Sequence, residues 1–239
     1  MSERQSRAEL RTIMRDNIDH PAVQMALKLG PKYGINAMKD PDSVFHLIKY
    51  FRRLALAIGA LSEDEQFYDK SKFEGLKLLD LACGTENLPL KNKKFAPWIC
   101  RATSSLGADA TGVDIEYPTM KKVRKKKKKN EKVPSSEQGW HFVQRDLTEE
   151  GAIDQETFPS DHYDVVVCTA FAGYTDATLD DPSIATFRDF FEDDYWEFVE
   201  RIDAQAIRVL KESGIYMKND TIYTKTNGKM LFKKDFPNT

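Results

Sequence analysis

The sequence predicts an α/β fold: a mostly parallel sheet finished by an antiparallel hairpin, with a helical segment in front. Three observations lead there. Apolar runs end in an acid at Asp80, Asp114 and Asp146, helical periodicities alternate with those runs, and Asn227-Gly228 lies between two alternating runs near the C-terminus.

Residues 1–70 read as helical. Arg7 to Ile18 and Pro21 to Leu29 give two short helices parted by Asp19-His20-Pro21, the second closed by Gly30-Pro31, with a loop over Lys32 to Met38. Asp40-Pro41-Asp42-Ser43 starts a third helix, with proline suited to a first turn. Its apolar positions Val44, Leu47, Ile48, Phe51, Leu54, Ala55, Ile58 and Leu61 recur every three or four residues, leaving Lys49, Arg52 and Arg53 off the stripe. Such a stripe needs a partner surface.

Beyond residue 70 strands and helices alternate, the pattern of a parallel sheet with right-handed crossovers. Strands are expected near 76–82, 109–114, 139–145 and 163–168, and helices near 97–107, 118–129 and 187–212. The last helix buries Tyr195, Phe198, Val199, Ile202, Ala206, Val209 and Leu210, with Ser213-Gly214 as its stop. Strands over Gly214 to Lys218, Thr221 to Lys225 and Lys229 to Lys233 follow, the last two joined through Thr226-Asn227-Gly228.

The chain has 239 residues, 41% of them hydrophobic and 11% aromatic, so it can bury a sizeable core. Its 36 basic and 38 acidic side chains leave a net charge of -2, which argues against a wholesale polyanion binder. Cys83, Cys100 and Cys168 show no C-x-x-C spacing, so neither a disulfide framework nor a zinc site is expected, and no metal is called for. No apolar run reaches the length of about 18 residues that a membrane span needs, and Met1 to Arg15 has no signal-peptide core. A soluble, cytoplasmic protein without membrane contact is expected.

The first acid-ended run continues as Asp80-Leu81-Ala82-Cys83-Gly84-Thr85-Glu86, an apolar strand breaking at a glycine. The second is Gly112-Val113-Asp114-Ile115-Glu116, the third Arg145-Asp146-Leu147, and Tyr163 to Cys168 makes a fourth strand. Four such pieces in this order, followed by a long helix and a hairpin, resemble a class I S-adenosylmethionine-dependent methyltransferase over roughly residues 72–239. The resemblance implies a Rossmann-like sheet with residues 71–239 as the methyltransferase-like domain and residues 1–70 as a helical lid or cap. It implies S-adenosylmethionine as cofactor; the acceptor is unidentified, and because neither an Asp/Asn-Pro-Pro-aromatic nor a Pro-Cys sequence follows the fourth strand, a small molecule is the expected class.

It also assigns roles. Asp80 would hold the turn and, directly or through water, the ligand's ammonium group; Ala82, Cys83 and Gly84 would lie along the methionine moiety. Asp114 would take both ribose hydroxyls, a task suited to charge-assisted hydrogen bonds. Ile115 would lie against the adenine, Asp146 would accept from its amino group, and the Leu147 N–H would donate to the ring. The loop from Thr169 to Tyr174 would face the sulfonium and the acceptor. Two departures from the family's pattern stand out: its first and third turn glycines are here Ala82, a mild change, and Glu86, which would either bind the ammonium or reject the ligand.

Each feature has a plainer reading beside it. Acids at strand ends also cap turns, and Cys83 and Cys168 suit the core better than a nucleophilic role, since neither has an adjacent histidine or basic partner in sequence. His46 and His141 read as structural; His20 and Tyr33 lie in loops of the N-terminal helical part, which in similar enzymes folds over the donor, so a lid role is the lesser reading for them. No general base is evident, and Tyr174 and Asp176 are the first places to look. Lys121 to Lys129 reads first as a solvated helix face; an RNA methyltransferase would use the same run as a salt-sensitive backbone contact, so nucleic acid stands as the alternative partner. A non-catalytic adenosyl-ligand or interaction module, motivated by Glu86, is the third reading. A nicotinamide oxidoreductase ranks last, because G-x-G-x-x-G is absent after the first strand.

Overall fold

The computed structural model describes residues 7–84, 96–114, 139–169 and 195–236. The expected helix over 118–129 and the first part of that over 187–212 lie outside them. Within them runs α1 (Arg7–Asp16), α2 (Pro21–Leu29), α3 (Asp42–Ala57), β1 (Lys77–Leu81), α4 (Trp98–Ser104), β2 (Asp109–Asp114), β3 (His141–Gln144), β4 (Tyr163–Cys168), α5 (Tyr195–Val209), β5 (Leu210–Lys218), β6 (Thr221–Thr226) and β7 (Lys229–Asp235).

The seven strands form one sheet in the order β3-β2-β1-β4-β5-β6-β7. The first five run parallel, and β6 and β7 return antiparallel. This is the Rossmann-like α/β sheet with a C-terminal hairpin. Asn227 and Gly228 turn that hairpin at φ 52° and 71°, both left-handed as a two-residue type I′ loop requires.

Alternation along the strands splits the core in two. Leu78, Ala110, Val165, Val167 and Met217 face α2, α3 and α4, while Leu79, Leu81, Val113, Val166 and Cys168 face α5 through Phe198, Val199, Ile202, Ala206 and Val209. The helices ahead of β1 therefore share the sheet's own core: Phe51 of α3 stacks on Phe73, ring centroids 5.6 Å apart. All three cysteines are free and buried. No described helix is long and apolar enough to cross a membrane.

Three local expectations are corrected. The segment after α2 opens with a 3-10 turn, Gly30–Tyr33, before the loop. Arg53 lies on α3's buried side with 2% exposure, because Asp220 of the β5–β6 turn supplies a carboxylate there. Helix α5 stops at Val209 and not near Ser213-Gly214. Leu210 already pairs with Tyr163 and its carbonyl accepts from Lys225 Nζ at 2.7 Å, so Ser213, at φ 63°, belongs to the register shift within β5.

Candidate functional site

The strand order fixes where a ligand can enter. From β1 the chain moves to β2 and β3 on one side, then crosses back to β4 and β5 on the other, which opens a crevice beyond the carboxyl ends of β1 and β4. Leu81 and Cys168 pair at that edge, and the chain leaves it through Ala82-Cys83-Gly84 on one strand and Thr169 on the other.

The turn after β1 is anchored to β2. The Cys83 N–H donates to the Val113 carbonyl at 3.0 Å, and the Gly84 N–H donates to Asp114 Oδ2 at 2.8 Å. Ala82 adopts φ 58°, in the left-handed region, so the change from glycine is less mild than the sequence suggests; a Cβ there costs about 1 kcal/mol. Beneath the turn, Gly112 makes room: a Cβ would come within 2.7 Å of Cys83 Sγ, 2.9 Å of the Trp140 ring and 3.0 Å of Cys100 Sγ. A glycine in β2 is thus required by close approach.

The three acids form a staggered line. Asp80 is level with Gly112, and Asp114, two residues further along the same face of β2, is level with Gln144, two before Asp146. Asp80 and Asp114 are close enough for the one charge to act on the other, whereas Asp146 stands two strands from Asp80, about 10 Å across the sheet.

Their environments differ. Asp80 is 3% exposed, and its Oδ2 lies 3.6 Å from the Cys100 thiol, which donates to it. Burial pushes its carboxyl up to about 8; the thiol hydrogen bond opposes this, and the neighbouring Asp114 charge adds to it. Asp80 is therefore mostly protonated at neutral pH. Asp114 is half-buried at the rim, its orientation fixed by the Gly84 N–H. Asp146 is half-buried and caps its own turn, Oδ1 accepting from the Thr148 N–H at 2.9 Å and the Thr148 hydroxyl at 2.7 Å. Leu147 is 3% exposed and anchors that turn in the α5-side core. Thr169 is half-buried, and the adjacent Cys168 carbonyl accepts from the Asn219 N–H at 3.0 Å. Glu86, Ile115, Tyr174, Asp176 and the run Lys121 to Lys129 lie outside the described residues.

Burial also pushes the Cys83 and Cys100 thiols up, which removes the thiolate a nucleophile needs. No group of three or more metal-ligating side chains is present among the described residues.

One residue near this turn escaped the sequence reading. Arg101 of α4 is 3% exposed, its guanidinium 3.5 Å from the Tyr33 ring centroid and 5.2 Å from that of Trp98. Burial lowers it to about 10, which still leaves it charged at neutral pH. It ties the 3-10 turn after α2 to the helix that follows the glycine turn. An arginine inside Trp98-Ile99-Cys100-Arg101-Ala102, an otherwise apolar run, was the available signal.

No protein-family model matches the chain, and no curated protein sequence matches it. Among solved structures, the chain is similar to the magnesium protoporphyrin IX methyltransferase of Synechocystis PCC 6803 with bound SAH. The identity is 14% and the TM-score 0.33, over 92% of this chain and 95% of that one.

Proposed function

We propose that the chain is an S-adenosylmethionine-dependent methyltransferase acting on a small-molecule acceptor. The observation that carries this reading is the tether from the Gly84 N–H to Asp114 Oδ2 at the topological switch point. It presents a turn and a ribose-compatible carboxylate to one crevice, as an adenosine-bearing ligand needs.

The residues present fit that cofactor. Asp114 takes the ribose hydroxyls with its carboxylate already oriented. Gly84 and the left-handed Ala82 hold backbone beside the methionine moiety, with Gly112 and Cys83 supporting them from below. Asp80, buried against the Cys100 thiol, acts as a support for the turn. Asp146, preset by Thr148, meets the adenine amino group, and the Leu147 N–H meets the ring. Thr169 borders the methyl and the acceptor. The α1–α3 segment serves as the lid, with Tyr33 held on Arg101.

When bound, the cofactor supplies a methyl group activated by the sulfonium charge. The protein's contribution is to exclude water and hold the acceptor atom in line with that methyl. A base is required only where the acceptor must lose a proton.

Thermal denaturation with ligands tests the reading. S-adenosylmethionine and S-adenosylhomocysteine at about 100 times Kd should stabilise the fold by about 2.7 kcal/mol, seen as a Tm rise of several degrees. NAD should not, and Asp114→Ala should lose the adenosyl response while keeping its unliganded Tm within a few degrees. A parent protein that responds to NAD, or to none of the three, removes the assignment.

A further inference from the structure

Helix α3 carries a surplus of positive charge to the rim of the sheet. Lys49 and Arg53, one helical turn apart, both reach the β5–β6 turn, where Arg53 Nη1 donates to Asp220 Oδ1 and Lys49 Nζ stands 3.3 Å from the same oxygen. Two cations share one carboxylate oxygen. The Tyr50 ring lies 5.5 Å from Lys49 Nζ and 5.7 Å from the Arg53 guanidinium, with the His46 ring 5.6 Å from Tyr50. On the other side, the Phe236 ring is 5.7 Å from Arg53 and 5.3 Å from Lys234 Nζ. Aromatic faces therefore flank the two cations that share this carboxylate, and Lys234 stands against one of the same rings.

Folding alone does not require this. The Arg53–Asp220 pair already fixes α3 to the β5–β6 turn, and a second cation four residues away on the same helix is repelled by the first. Burial, and then the Arg53 charge, pull the Lys49 ammonium down to about 8, so its positive charge is held at a cost. Yet Lys49 and Asp220 are reachable, their side chains 20% and 31% exposed. Among the described residues Asp220 is the carboxylate these two cations share, and a cation so placed within reach of solvent is suited to an anion that arrives from outside.

The location says which molecule that is. Asp220 follows Asn219, whose N–H donates to the carbonyl of Cys168, the last residue of β4, and Thr169 comes next in the chain. The cation cluster thus borders the side of the crevice left to the acceptor, away from Asp114. We propose that Lys49, set in place beside the buried Arg53–Asp220 pair, is the anion contact of the acceptor, which is a small organic carboxylate. A monoanion neutralises the surplus of Lys49 and Arg53 over Asp220. The proposal rests on the methyltransferase reading for its location, and on this cluster alone for its chemistry.

Benzoate and its neutral isostere benzamide serve as probes at constant ionic strength, without the adenosyl ligand. Benzoate should bind saturably and raise the Lys49 titration midpoint in lysine-resolved NMR, while benzamide does neither. Lys49→Gln should weaken benzoate about tenfold, and Lys49→Arg should retain it. Equal binding of the two probes, or undiminished benzoate binding by Lys49→Gln with its fold intact, overturns the subsite. The response to S-adenosylhomocysteine, measured on the same samples, reports separately on the donor site, so the failure of either assignment is recognisable.

Discussion

Asp80 shows how a single residue couples the site to the stability of the fold. An ordinary aspartate titrates near 3.9, whereas burial first, and the Asp114 charge after it, hold this one at about 8. Between those values the folded chain keeps a proton that the unfolded chain has released, so stability falls as pH rises across the window, by about 1.4 kcal/mol per unit at most. Asparagine has nearly the same shape, can accept from the Cys100 thiol and does not ionise. Asp80→Asn should therefore gain on the parent between pH 5 and pH 8, with a Tm difference that moves by several degrees in its favour, measured by thermal denaturation at both values. A gap that moves the other way would mean that the fold uses the charged carboxylate. The same proton couples Asp80 to charge nearby: a cation brought close to it would favour its release.

At the scale of elements, α2 and α3 are pinned by one glutamate in the loop after α3. The His20 Nδ1 accepts from the Ala22 N–H at 3.2 Å, which places its proton on Nε2, 2.7 Å from Glu65 Oε2; Arg52 Nε donates to the same oxygen at 2.7 Å. Burial alone would raise the Glu65 carboxyl, but the hydrogen bonds from Arg52 and His20 more than offset it and hold it below the usual value. The stabilisation is thus present above the unfolded value near 4.3 and is lost as pH falls through the folded one. Glu65→Gln should cost about 1–2 kcal/mol in urea unfolding at pH 7, a gap that closes towards pH 3; a gap unchanged at pH 3 would assign the cost to shape and not to charge. Elements of this kind were legible where one stretch of chain contains the whole signal. The stripe of α3, the runs of β1, β2 and β4 and the Asn227-Gly228 turn are local, and so is the break at Gly84. What was not legible depends on partners far away in the chain: the end of α5 answers to Tyr163 and Lys225, and Arg53 is buried by a carboxylate 167 residues on. The acid at Asp146 was legible as a strand end, yet its cap on Thr148 emerges only from the turn itself.

For the molecule as a whole, the decisive feature is that one face of the sheet and the N-terminal helices have a single core between them. Met14, Val23, Leu29, Leu47, Phe51 and Leu54 are buried with Leu78, Val165, Val167, Met217 and Ile222 in one continuous cluster. The sheet cannot keep that face dry without α2 and α3, nor can those helices hide their stripe without the sheet. Calorimetry of the full chain should accordingly show one unfolding transition, with calorimetric and van't Hoff enthalpies in agreement. A chain beginning at residue 70 would expose Leu78, Val165, Val167 and Met217 as an apolar patch and should aggregate when refolded. Two resolved transitions, or a soluble and cooperative shortened chain, would show that the two parts fold independently. Joint folding also limits motion: helices built into the core cannot swing away as a unit, so their movement is confined to smaller shifts at contacts such as those of Tyr33 with Arg101 and Lys49 with Asp220.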